Sequence, residues 1–203
     1  MSSVKIKICG LRRLKDIVAA NRAKPDYIGF VFAKSKRQIS AETASELKNK
    51  LDKRIKTVGV FVNQPVDFIA ELHKNKIIDM AQLHGDEDDE YIESLRSLCD
   101  CKIIKAVSVG DKLPDLTKTA DYLLFDKASE QRGGTGESFN WNVLGNYQGV
   151  PYFLAGGLSL DNVGDALQKL SPFGVDVSSG VEIDGFKNSD KINEFVQTVR
   201  RIK

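Results

Sequence analysis

Eight short runs rich in β-branched and aromatic residues recur along the chain, and most are followed by an amphipathic stretch of roughly ten residues. The runs are Val4–Cys9, Tyr27–Phe32, Thr57–Val62, Met80–Leu83, Ile103–Val107, Tyr122–Asp126, Tyr152–Ala155 and Gly174–Val177. Several are apolar at consecutive positions, as strands covered on both faces are. Helical periodicity falls between them at Leu14–Ala23, Ser40–Leu51, Val66–Lys74, Asp89–Leu98, Leu160–Leu170 and Ser189–Ile202, with Ser40, Ser159 and Ser189 as expected helix entries. Asp111–Thr119 reads as a weak helix at best. Lys127–Asn140, with three glycines, reads as a long loop before a short helix at Trp141–Tyr147.

Such alternation predicts a parallel sheet with right-handed crossovers. At 203 residues with short connections, the expected architecture is α/β, a single (β/α)8 barrel with residues 1–203 as one catalytic domain. An open doubly wound sheet is the alternative. Its dinucleotide-binding form usually carries GxGxxG after the first strand, where this chain reads Cys9-Gly10-Leu11-Arg12-Arg13-Leu14.

Charge narrows the range of partners. With 30 basic and 28 acidic residues the net charge is +2, which gives no overall field for nucleic acid or an anionic membrane. No apolar run approaches the roughly 20 residues of a membrane span, and Met1-Ser2-Ser3-Val4-Lys5 lacks the features of a signal peptide. Cys9, Cys99 and Cys101 are odd in number and show no CxxC spacing, which argues against a disulfide framework or zinc site. His73 and His84 alone do not make a metal-ligand set. The expectation is a cytoplasmic protein with a small-molecule ligand, without metal, and monomeric, with a homodimer as the alternative.

In such a barrel the reactive groups lie at the C-terminal ends of the strands. The glycines of Ala155-Gly156-Gly157 and the segment Asp176-Val177-Ser178-Ser179-Gly180 end the seventh and eighth runs, where backbone N–H groups are suited to a phosphate. Asp126 ends the sixth run, either as a general acid or as a cap on the following loop. Cys9 ends the first, either as a base or as a small buried apolar side chain. Arg37, in Lys34-Ser35-Lys36-Arg37-Gln38, is either a fork for a carboxylate or part of a solvated basic loop. His84 ends the fourth run; with Asp176 it is taken as a substrate contact.

Several strings occur together in one order. They are Lys7-Ile8-Cys9-Gly10, Gly29-Phe30-Val31-Phe32 with Ser35–Ser40, Val58–Asn63, Gln82-Leu83-His84-Gly85, Gly133-Gly134-Thr135-Gly136, Ala155-Gly156-Gly157-Leu158 and Val175–Glu182. Spanning nearly the whole chain, this set resembles the phosphoribosylanthranilate isomerase family. The resemblance implies a (β/α)8 barrel and an Amadori rearrangement of a phosphorylated ribosyl anthranilate in tryptophan biosynthesis, with no metal or organic cofactor. It further implies Asp126 as the acid, Cys9 as the base, Arg37 as holder of the anthranilate carboxylate, and the glycine and serine loops as the phosphate site. The chain departs from the family pattern at Lys127, Asn140 and Ala33. Other barrel enzymes acting on phosphosugars fit less well: an imidazole-type relative has aspartates at the first and fifth strand ends, where this chain has Cys9 and Val107. A barrel that merely binds a phosphorylated ligand is the other alternative.

Overall fold

A computed structural model describes residues 3–127 and 140–202. Its strands are β1 Lys5–Cys9, β2 Tyr27–Val31, β3 Lys56–Phe61, β4 Met80–Leu83, β5 Lys102–Val109, β6 Tyr122–Lys127, β7 Tyr152–Leu154 and β8 Gly174–Val177. Each pairs with the next in parallel, and β8 returns to β1 to close the barrel. The α-helices are α1 Leu14–Ala23, α2 Ala41–Lys48, α3 Val66–Lys74, α4 Asp89–Leu98, α5 Val163–Lys169 and α6 Ser189–Arg201. The outer layer joins across the closure, where α1 packs against α6.

Side chains alternate across each strand and divide the core into two layers. Ile6, Ile8, Ile28, Phe30, Leu83, Ile103, Leu123 and Phe125 face the helices. The opposite parity fills the barrel with Tyr27, Val58, Met80, Ile104, Leu124 and Phe153. The floor of the barrel is therefore apolar and closed, and only its upper layer is left for chemistry.

The open doubly wound alternative is excluded by the β1–β8 ladder, and the strand and helix expectations hold with shifts at the ends. Four local expectations need correction. No helix bridges β5 and β6. Pro114 interrupts that segment, and the Thr119 hydroxyl donates to Asp89 at 2.7 Å, tying the crossover to the start of α4 instead. The helix expected from Leu160 begins only at Val163, because the Asn162 side chain turns back to Ser159 N and to the Gly157 carbonyl, both at 2.9 Å. Trp141–Leu144 is a single 3-10 turn rather than a helix to Tyr147. The cap of α6 is Asn188, not Ser189: its side chain accepts from Asp190 N and Lys191 N. Residues 128–139, which carry most of the expected glycine-rich loop, lie outside the described residues.

One element was not expected. After β8 comes a 3-10 turn, Ser179–Val181, and then a hairpin of β9 Glu182–Ile183 and β10 Phe186–Lys187. Asp184 and Gly185 join its strands with φ of 51° and 74°, the positive-φ pair of a tight hairpin turn.

The α6 cap gives a direct check. Asn188→Ala should lower stability by about 1 kcal/mol in urea unfolding, while Ser189→Ala should change it little. The reverse order would make Ser189 the cap after all.

Candidate active site

The alternation that fills the floor also fixes the mouth. Continuing each inward row toward the C-terminal strand ends reaches Cys9 on β1, Gln82 on β4, Asp126 on β6 and Asp176 on β8, with His84 and Ser178 just beyond β4 and β8. These residues line a cleft of about 670 Å³ together with Arg37 from the loop after β2. Among the predicted site residues, Cys9, Arg37, His84, Asp126, Asp176 and Ser178 are thus brought together.

Cys9 sits among Val31, Ala33 and Val60. A side chain at Gly29 on the neighbouring strand would place a Cβ 2.8 Å from the Cys9 sulfur, so glycine is what makes room for the thiol. Burial pushes the thiol's pKa up, and the Lys7 ammonium pulls against it.

Asp126 lies across the mouth. Its Oδ1 accepts from Lys127 N at 2.8 Å, and its Oδ2 is 3.4 Å from His84 Nε2. The other imidazole nitrogen, Nδ1, is 2.9 Å from the Gln82 amide nitrogen. The imidazole thus stands between the Gln82 amide and the Asp126 carboxylate. His84 therefore lines the cleft beside Asp126.

Asp176 is likewise committed. Both of its carboxylate oxygens accept from Lys7 Nζ at 3.0 Å, and Lys7 is fully buried. Ser178 donates its hydroxyl to the Cys9 carbonyl at 3.1 Å. Arg37 donates from Nε and Nη2 to Glu182, each at 2.8 Å, which leaves its Nη1 edge as the side of the fork suited to a ligand carboxylate. Glu182 also accepts from Lys187 at 2.6 Å. Burial works to raise the Glu182 carboxyl, but hydrogen bonds from Arg37 and Lys187 outweigh it and hold its pKa at about 2.

Gly156, Gly157, Ser179 and Gly180 stand beside the cleft, on the loops after β7 and β8. Gly156 and Gly157 have φ of 77° and 73°. A Cβ at Gly156 would fall 2.6 Å from Lys127 N and 3.1 Å from the Asp126 carboxylate. A Cβ at Gly180 would fall 2.1 Å from the Leu158 carbonyl oxygen. These glycines let the two loops close on each other and on the Asp126 carboxylate, in the usual phosphate position of such barrels.

Lys7, Gln82, Glu182 and Lys187 were not singled out from sequence. Lys7 had a usable signal, a lysine at the same parity as Cys9 in Lys5-Ile6-Lys7-Ile8-Cys9. Glu182 and Lys187 depend on the hairpin, whose Asp184-Gly185 turn was the missed cue. Among the described residues, no group of three or more His, Cys, Asp or Glu is placed to share a metal ion, and no helix is long and apolar enough to cross a membrane.

The family profile for N-(5'-phosphoribosyl)anthranilate (PRA) isomerase matches residues 6–198. The chain belongs to this family. The N-(5'-phosphoribosyl)anthranilate isomerase of Thermoanaerobacter sp. (strain X514) is 48% identical over 206 residues, covering 98% of this chain and 100% of that one. The crystal structure of phosphoribosyl anthranilate isomerase from Thermus thermophilus superposes with a TM-score of 0.86 at 30% identity, covering 98% of this chain and 100% of that one. A phosphoribosyl anthranilate isomerase crystallised with reduced 1-(o-carboxyphenylamino)-1-deoxyribulose 5-phosphate gives a TM-score of 0.80 at 30% identity, covering 98% and 99%. Membership in this isomerase family decides against the other phosphosugar enzymes and the purely binding barrel.

The Glu182 interactions have a signed pH dependence. A carboxylate held at about 2 contributes stability that is fully present above its unfolded value of about 4.3 and is lost as pH falls toward 2. The difference in urea midpoint between wild type and Glu182→Gln should be constant above about pH 5 and narrow below it. A difference independent of pH would remove Glu182 as the anchor of Arg37 and Lys187.

Proposed function

We propose that the protein catalyses the Amadori rearrangement of N-(5-phosphoribosyl)anthranilate to 1-(2-carboxyphenylamino)-1-deoxyribulose 5-phosphate, with Asp126 as general acid and Cys9 as general base. The observation that carries this is a carboxyl and a thiol from β6 and β1 lining one cleft, in a chain of this family.

Asp126 protonates the furanose ring oxygen, and the ring opens to a Schiff base. The Cys9 thiolate takes the proton from C2, and the resulting enolamine tautomerises to the ketone. Substrate held at both ends leaves the ribose between the two groups. The phosphate end is assigned to Gly156, Gly157, Ser178, Ser179 and Gly180. The anthranilate carboxylate is assigned to the Nη1 edge of Arg37, with Glu182 fixing the guanidinium plane. His84 holds the Asp126 carboxyl in place, and Asp176 acts through Lys7 rather than on substrate.

Residues 1–203 are assigned to one catalytic domain acting as a monomer in the cytoplasm of its cell, in tryptophan biosynthesis, without metal or organic cofactor. A homodimer is the alternative.

Cys9→Ala and Asp126→Asn should each lower kcat by about 10²- to 10⁴-fold with near-wild-type unfolding midpoints. The measurement is fluorescence loss from freshly generated phosphoribosylanthranilate, and full turnover by either folded variant would sink the acid–base pair. Arg37→Met should raise KM by about tenfold or more. An unchanged KM would place the substrate carboxylate elsewhere.

A further inference from the structure

We propose that Lys7 is the positioning residue that lets Cys9 work as a base: its buried ammonium, locked by Asp176, is the positive charge against which the Cys9 sulfur ionises. This rests on the assignment of Cys9 above.

Lys7 and Cys9 are two residues apart on β1 and share the inward face. Across the closing seam, Lys7 lies in register with Asp176 of β8. Nζ donates to both Asp176 oxygens at 3.0 Å, which uses two of its three N–H groups. The Cys9 thiol lies next above Lys7 on the same inward face, where the Lys7 charge acts against the burial of the sulfur.

Closure does not require this pair. The inward positions below are filled by Tyr27, Val58, Met80 and Phe153, and a buried ion pair is generally no more stabilising than apolar groups of the same shape. A fully buried ammonium directly below a thiol has a reason in the chemistry of that thiol. Burial pulls the Lys7 ammonium toward neutrality, but the charges of Asp176 and Cys9 more than offset it and keep it protonated.

Other charged groups face Cys9. Lys187 approaches from β10 and Arg37 from the loop after β2, but both are paired with Glu182. The rest of the sulfur's surroundings are apolar, from Val31, Ala33 and Val60. Of the cations, Lys7 pulls hardest on the thiol and Asp176 opposes it. When the thiolate takes the C2 proton, the Lys7–Asp176–Cys9 group passes from one negative charge to none, and no further reactant is needed.

The test is the pH dependence of Cys9 alkylation by iodoacetamide, read on the Cys9 peptide by mass spectrometry so that Cys99 and Cys101 do not contribute. Lys7→Met should raise the midpoint by about one to three pH units, and Asp176→Asn should lower it. Lys7→Arg, which keeps the charge, should stay near wild type. A loosened mouth would move both neutralising variants the same way. Midpoints that stay put, or shift in one direction for both, overturn the proposal. Where a single variant does not fold, Lys7→Met/Asp176→Leu buries no charge, and its midpoint should lie above wild type; a midpoint at or below wild type overturns the proposal as well. Alkylation reports the thiol without turnover, so a failed isomerase assignment would show in the activity assay and not here.

Discussion

A sheet of eight parallel strands becomes a barrel only if its last strand finds its first. Here that closure is the β1–β8 ladder, and it sets two charged side chains, Lys7 and Asp176, against each other in the interior. Around the rest of the ring the inward positions lower down are apolar, and the barrel is filled as any core is. At the seam the same layer carries an ion pair, with Cys9 directly above it on β1. The closing of the fold and the placing of the Cys9 thiol are one event.

The same parity that fixes the seam assembles the mouth. Because side chains alternate, a strand whose lower inward residue is Met80 or Leu124 must present Gln82 or Asp126 one step up. Glycines then set the clearances: Gly29 beside the thiol, Gly10 beside the Arg37 side chain, and Gly156 against the Asp126 carboxylate. The hairpin after β8 adds a second tier of charge. Glu182 holds Arg37 from one side and Lys187 from the other, and Lys187 also donates to the Ser178 carbonyl at 2.9 Å. The Asp126 carboxylate and the Arg37 guanidinium are each held by a neighbour.

Much of this was legible in the sequence. Alternating apolar runs place the strands because strands and helices bury different periodicities, and β8 was read to the residue. Cys9, Arg37, His84, Asp126, Asp176 and Ser178 were found because they end strands or follow them. What was not legible were the partners. That Asp176 belongs to Lys7 and Arg37 to Glu182 are facts of register and of a hairpin between residues 169 and 145 positions apart. No local pattern encodes such distances. The late start of α5 was misread for another reason: the Asn162 side chain takes the Ser159 N–H and the Gly157 carbonyl that the first turn of a helix would otherwise have organised.

In the proposed reaction one ribose lies between Cys9 and Asp126, with its phosphate on the loops after β7 and β8 and the anthranilate on Arg37. A crystal structure of this protein with reduced 1-(o-carboxyphenylamino)-1-deoxyribulose 5-phosphate tests it most directly. C2 of the sugar is expected beside the Cys9 sulfur, the oxygen derived from the ring beside Asp126, and the carboxylate on the Nη1 side of Arg37. A ligand bound in the opposite sense, or with its sugar out of reach of Cys9, would contradict it.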